Sequence, residues 1–256
     1  ADVAGRIAAW RARSMNGGKM FANQTLIAPA LLAALICGAC IAPPAAPTTD
    51  AQEPAMTKAA TGPVPAALTT MEADAEDIMD YVPTGNWPRI DQDARHLAEA
   101  WQVYLPQADK EDAPQAIQTA MAAALERLQT AVRTHTAAAT LQAANDVSAA
   151  VVELFANYNS VIPADIGRLD VLERQVILDV QAGDWTKTAQ TLDQTMVVWS
   201  KVRSSALAHQ GKQAVDQYDA SLAMQADWLQ ARNAAKLTAE VKNGLEIVDA
   251  LEAVYQ

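Results

Sequence analysis

The segment TGNWPRIDQDARHLAEAW, residues 84–101, returns as AGDWTKTAQTLDQTMVVW at residues 182–199, an offset of 98. Gly85 aligns with Gly183, Asn86 with Asp184, Trp87 with Trp185 and Trp101 with Trp199. The same offset sets Arg89 against Lys187 and Gln115-Ala116 against Gln213-Ala214; nearer the ends, Leu154 and Tyr158 meet Leu251 and Tyr255 at 97. Common solenoid repeats are about 20–50 residues long, so a period near 98 points instead to a duplicated domain. Any fold proposed for this chain must therefore be one that a unit of about 98 residues can build on its own.

Each copy reads as helix. From about Met71 onward, Ala, Leu, Val, Gln, Asp and Glu dominate, β-branched runs are few, and apolar residues recur at helical spacing. The spacing predicts helices over 69–82, 87–105, 113–134 and 138–157 in the first half, and over 164–181, 185–208, 212–231 and 234–255 in the second. Whether the last two of each half are separate or one long bent helix stays open at this level. Connections this short make sequential helices antiparallel neighbours. The expected class is all-α, a tandem duplication of an antiparallel helical-bundle unit.

Local chemistry explains the repeated G-[ND]-W element. A glycine takes the left-handed conformation that ends one helix, and the Asn or Asp after it accepts bonds from the free N–H groups that start the next. Pro88 suits a first turn. Trp87 and Trp101 stand fourteen residues apart, about 1400° of rotation, which leaves them within about 40° of each other. The same holds for Trp185 and Trp199, so both pairs are expected on core faces.

The N-terminal region has a different character. No charge occurs from Met20 to Thr49, and the apolar part, Leu26 to Ala42, is broken only by Pro29. Seventeen such residues reach about 25 Å as a helix, short of a bilayer core of about 30 Å. Lys19, Arg6, Arg11 and Arg13 precede the run, in the manner of a signal-peptide n-region. Gly38 and Ala39 then stand directly before Cys40. This resembles the lipobox of bacterial lipoproteins, with Cys37 in the place where such boxes usually carry Leu. The resemblance implies cleavage before Cys40 and its lipidation. An uncleaved anchor is one alternative and ordinary signal cleavage another. Cys37 and Cys40 also make a CxxC, but redox motifs of that kind open a helix beside a βαβ pattern, and nothing downstream reads as strand. The chain opens on Ala1, and Met15 and Met20 are alternative starts, so residues 1–14 are either a longer n-region or a mis-called start.

Cleavage would remove Arg6, Arg11, Arg13, Lys19 and Asp2, taking Lys+Arg from 19 to 15 and Asp+Glu from 30 to 29 and leaving a net charge near −14. A surface this acidic repels nucleic acid and anionic headgroups. Membrane attachment then depends on the lipid itself. Ile41, rather than Asp, follows the cysteine. By resemblance to Gram-negative lipoproteins, this implies an outer-membrane anchor facing the periplasm. Pro43, Pro44, Pro47, Pro54, Pro63 and Pro65 mark the next stretch as an extended tether. The expected division is 1–40 signal peptide, 41–68 tether, 69–160 first repeat and 161–256 second repeat.

Chemistry-bearing candidates are sparse. Glu72, Glu76 and Asp80, with Asp77 beside them, put carboxylates on one side of the first helix. They suit a helix N-terminus better than a cation site, since the matching positions of the second half are Asp170, Arg174 and Leu178. His96, His135 and His209 map onto Gln194, Asn233 and Glu111, so none is repeated, and none sits in an HxxxH or ExxH spacing that would place two ligands on one helical face. No CxxCH, GxSxG, SxxK, HExxH, P-loop or GxGxxG occurs. The expectation is a non-catalytic module without metal or cofactor, binding an envelope protein but no nucleic acid. A small-ligand or metal-binding accessory protein is the alternative, and an unrecognised enzyme a further one. The joining helix supplies the candidate docking residues Arg168, Asp170 and Arg174, charged positions where two halves would leave a cleft.

Overall fold

The structure, a computed structural model, describes residues 62–256; the expected signal peptide, Cys40 and the expected tether as far as residue 61 lie outside the described residues. The described chain is all-helical. Eight α-helices follow one another: α1 (Ala66–Tyr81), α2 (Trp87–Lys110), α3 (Gln115–Arg133), α4 (Ala137–Phe155), α5 (Ala164–Gln181), α6 (Trp185–Ala208), α7 (Lys212–Gln230) and α8 (Ala234–Ala253). The last two helices of each half are separate. In the first half α1 packs on α2 and α4, and α3 packs on α4 and more lightly on α2. In the second half α5 packs on α6 and α8, and α7 packs on α8 and more lightly on α6. Each half is thus a closed four-helix bundle, and α4 against α5 joins them.

The caps follow the sequence pattern. Gly85 and Gly183 have φ of 67° and 70°, the left-handed region where a Cβ costs energy. Asn86 Oδ1 accepts from the Arg89 N–H at 3.4 Å, and Asp184 Oδ1 from the Lys187 N–H at 2.9 Å. Pro83 marks a difference at the first of these corners: it has no N–H to donate to α1, and a 3-10 turn over Val82–Thr84 leads to Gly85, whereas α5 stays helical to Gln181.

Three boundaries differ from expectation. Helix α1 begins at Ala66 and Leu68 is fully buried, so the last part of the range read as tether contributes to the core. Helix α2 runs through Pro106 to Lys110. The missing bond would have joined Pro106 to the Gln102 carbonyl, and both residues are exposed, so water satisfies that carbonyl and the helix tolerates the proline. Third, the offset between halves changes from 98 to 97 at the turn before α3. Left-handed Asp112 and Gln210 correspond at 98, whereas left-handed His135 and Arg232 correspond at 97. Pro114 is the extra residue, since α3 starts after Pro114 and α7 directly after Gly211.

Each half has its own apolar core. Leu68, Met71, Ile78, Leu97, Trp101, Met121, Leu128 and Leu154 belong to one; Ile166, Val176, Leu192, Trp199, Tyr218, Leu222, Val248 and Leu251 to the other. Trp101 and Trp199 are buried as expected, but Trp87 and Trp185 are only partly covered. As first residues of α2 and α6 they sit at a bundle end, where a ring has neighbours on one side; Trp87 stacks on His135 at 4.6 Å.

Candidate functional site

Helix α5 is the hub of the molecule: from Ile162 to Val180 no residue is exposed. Its packing on α4 is close and polar. A Cβ on Gly167 would lie 3.0 Å from Val152 Cγ2, so glycine lets the two helices approach. Gln142 and Gln175 exchange amide bonds of 2.8 and 3.0 Å, and Asn145 Nδ2 donates to the Val171 carbonyl at 3.2 Å. The chain thus turns hydrogen-bonded amide side chains toward the boundary between its two apolar cores, with Asn145 Oδ1 buried there without a partner.

The candidate docking residues lie at this boundary and engage the protein itself. Arg168 forks onto Glu153 of α4 at 2.6 and 2.8 Å and reaches Asp165 at 2.6 Å. Those carboxylates hold its guanidinium above the usual range. Arg174 pairs with Asp170 at 2.5 Å on its own helix and with Glu76 of α1 at 3.2 Å. The two arginines therefore serve as clamps, one from α5 to α4 and one from α5 to α1, rather than as free charges in an open groove.

Around Arg174 the carboxylates outnumber it. Glu72 and Glu76 come from α1, Asp170 from α5, and Asp249 and Glu252 from α8. Burial first, then Glu76, Glu252 and Asp170, push Glu72 up to about 7, against the pull of Arg174. Burial likewise raises Asp170 to about 7, although Arg174 opposes it. Glu252 is raised by burial and by Asp249 and Glu76. Of the acidic stripe read on α1, Glu72 and Glu76 face this cluster, Asp77 binds Arg89 at 3.0 Å, and Asp80 is exposed. Among the described residues no group of three or more His, Cys, Asp or Glu is placed to hold a metal ion.

One turn deeper lies a residue that the sequence reading missed. Glu173 is fully buried in the second core, where it accepts from Tyr218 Oη at 2.7 Å and from Gln225 Nε2 at 3.0 Å. Burial raises its carboxyl to about 7 despite those donors. Gln225 Oε1 is buried beside it without a partner. Gly244 makes room, since a Cβ there would come within 2.9 Å of Gln225 Nε2 and 3.0 Å of Glu173 Oε1. A signal did exist: Glu173 falls four residues after Leu169 and three before Val176, inside the apolar stripe of α5.

The histidines do not converge. His96 is 3.9 Å from Asp74, His135 lies under Trp87, and His209 packs on Tyr255. A surface depression of 560 Å³ between α3 and α4 is lined by Glu126, Arg127, Thr130, Thr136 and Gln142 among others. No helix among the described residues is long and apolar enough to cross a membrane. Comparisons with known protein families, with curated proteins and with solved structures find no match.

Proposed function

We propose that this chain is a lipid-anchored helical module of the bacterial envelope, acting by binding a protein partner and not by catalysis. The observation that carries the reading is the uncharged apolar run ending in Gly38-Ala39-Cys40, followed by a proline-rich stretch and then by a helical domain. Lipidation of Cys40 would fix the domain to a membrane, facing the periplasm, and the tether would hold it clear of the surface. We also infer that the halves are two copies of one four-helix unit. Matching helix order, matching pairings and matching left-handed corners support this. The partner surface is where the copies meet, and Arg168, Asp170 and Arg174 shape it by fixing how the copies sit together.

Two measurements test the proposal. Mass spectrometry of membrane-extracted protein is expected to find Cys40 acylated and N-terminal, and Cys40→Ala to abolish that processing. Recovery of an unmodified soluble wild type would remove the anchor from the reading. Cross-linking in the native envelope is expected to capture a protein partner with wild type and to lose it with an Arg168→Glu/Arg174→Glu variant of unchanged helical content. Unchanged capture by that variant would refute the assigned surface, and substrate turnover by purified protein would refute the non-catalytic reading.

A further inference from the structure

Three polar side chains meet at one end of the first bundle. Tyr104 belongs to α2, Glu111 caps the end of that helix, and Tyr158 lies in the segment that follows α4. Tyr104 Oη and Tyr158 Oη are 3.0 Å apart, and Tyr158 Oη donates to Glu111 Oε2 at 2.5 Å. Each phenol has a single proton, and that of Tyr158 is engaged by the carboxylate, so Tyr104 donates to Tyr158 and Tyr158 to Glu111. The ends of this relay are fixed. Gln107 Nε2 holds Glu111 Oε1 at 3.0 Å, and the N–H of Asn159 donates to the Gly62 carbonyl at 2.8 Å. Both phenols are buried, whereas Glu111 is partly exposed.

The second half holds a different set. Offsets of 98 and 97 put Val202, His209 and Tyr255 against Tyr104, Glu111 and Tyr158. Tyr255 Oη is buried without a hydrogen-bond partner, its ring 4.7 Å from that of His209. Tyr218 does donate to a carboxylate, that of Glu173 at 2.7 Å, but both residues are fully buried and a proton passed there stays inside the core. Tyr158 combines a carboxylate acceptor with a route from that acceptor to water.

These are the requirements for proton-coupled oxidation of a phenol. Loss of an electron makes a phenol strongly acidic, so the electron leaves readily where a base at hydrogen-bond distance takes the proton. The phenolate does not form first, because burial raises the Tyr158 hydroxyl above its ordinary range and the bonds to Glu111 and Tyr104 add to this. Shielding of the ring also means that an oxidant at the surface draws the electron through the protein instead of abstracting hydrogen in contact. The Trp101 ring, 6.0 Å from that of Tyr104, extends the aromatic series into the core.

We propose that Tyr158 is a one-electron redox site: a high-potential metal centre of a partner at the surface takes an electron from the phenol, Glu111 takes its proton, and a neutral tyrosyl radical remains. The metal is reduced by one electron, the O–H bond of Tyr158 breaks, a new O–H bond forms at Glu111 Oε2, and Glu111 then releases the proton to water. Tyr104 keeps its hydrogen bond to the radical oxygen and stabilises it. The step is stoichiometric and goes beyond the binding role proposed above.

The test uses the full chain with tris(bipyridine)ruthenium(III), generated by a laser flash, as the oxidant. Every chain carries Tyr81→Phe, because the Tyr81 ring is partly exposed and open to direct oxidation. Transient absorption follows the tyrosyl radical and freeze-quench electron paramagnetic resonance identifies it. The reference chain is expected to form the radical, more slowly in deuterated water. Tyr158→Phe is expected to lower the yield about tenfold, and Glu111→Gln, which keeps an acceptor but no base, to slow formation at least about tenfold and to remove the deuterium effect. Tyr255→Phe is the matched control and is expected to change neither. Circular dichroism establishes intact helices in each. Absence of a tyrosyl radical in the reference chain overturns the proposal, as does an unchanged yield in folded Tyr158→Phe or an equal loss in Tyr255→Phe. If Tyr158→Phe does not fold, Glu111→Gln decides, and an unchanged rate of formation there overturns it.

Discussion

A carboxyl group with no access to water has to be either neutral or well partnered, and Glu173 is poised between these conditions. Tyr218 and Gln225 donate to it and favour its charged form, but the loss of hydration prevails and lifts it to about 7. In sequence, offsets of 98 and 97 set Glu173, Tyr218, Gln225 and Gly244 against Ala75, Met121, Leu128 and Val147, which are all fully buried and apolar in the first bundle. Glu173→Gln is accordingly expected to stabilise the protein at about pH 8 by roughly 1–3 kcal/mol, since one pKa unit corresponds to about 1.4 kcal/mol. Glutamine keeps the acceptor for Tyr218 and also supplies a donor for Gln225 Oε1, the atom now unpartnered. The sign reverses nowhere but the size changes: the wild-type penalty accumulates as pH rises from about 4.5 toward 7, so the advantage of the variant is expected to fade on acidification. Urea unfolding of both proteins across that range measures it, and a pH-independent difference would contradict the assignment.

At the scale of helices and turns, much of the architecture is written locally. The two G-[ND]-W corners end one helix and start the next with adjacent residues, and the helices beginning at Trp87 and Trp185 start where those caps require. The caps are unequal, however. Asp184 is charged and bonds at 2.9 Å, whereas Asn86 is neutral and bonds at 3.4 Å with Pro88 already shaping the first turn. Asp184→Ala is therefore expected to cost about 1 kcal/mol and Asn86→Ala less than half as much, measured by thermal or urea unfolding; equal losses would show that hydrogen-bond geometry is not the controlling factor. What was not legible is equally physical. Helix continuation past Pro106 depends on that residue facing water, which only the packed bundle determines. The shift caused by Pro114 hides because a single extra turn residue changes no periodicity on either side. Glu76 meets Arg174 across 98 residues of sequence, and no local pattern announces such a pair. For the same reason, Arg168, Asp170 and Arg174 stood out as charged positions in the joining helix, while their engagement with Glu153 and Glu76 did not.

At the scale of the whole chain, the decisive feature is that each bundle closes its own apolar core and that the contacts crossing between them are mostly polar. Burial of apolar surface is the main source of stability, and each half closes a core that includes Trp101 or Trp199 together with residues from all four of its helices. The boundary adds amide pairs and clamped arginines, groups that contribute modestly because water would satisfy them almost as well. Residues 62–160 and 161–256, produced as separate chains, are therefore each expected to fold into a helical bundle with a cooperative urea transition. Because the slope of that transition scales with the surface exposed, each is expected to show about half the slope of the full chain if the latter unfolds in one step. Val152 and Gly167 set the limit of this independence. Their close approach is an apolar contact between α4 and α5, so separation uncovers Val152 and is expected to lower the midpoint of the half that carries it below that of the intact protein. If either half were instead to lose its cooperative transition, the two cores would have to be treated as one, and the polar boundary as a layer within a single domain.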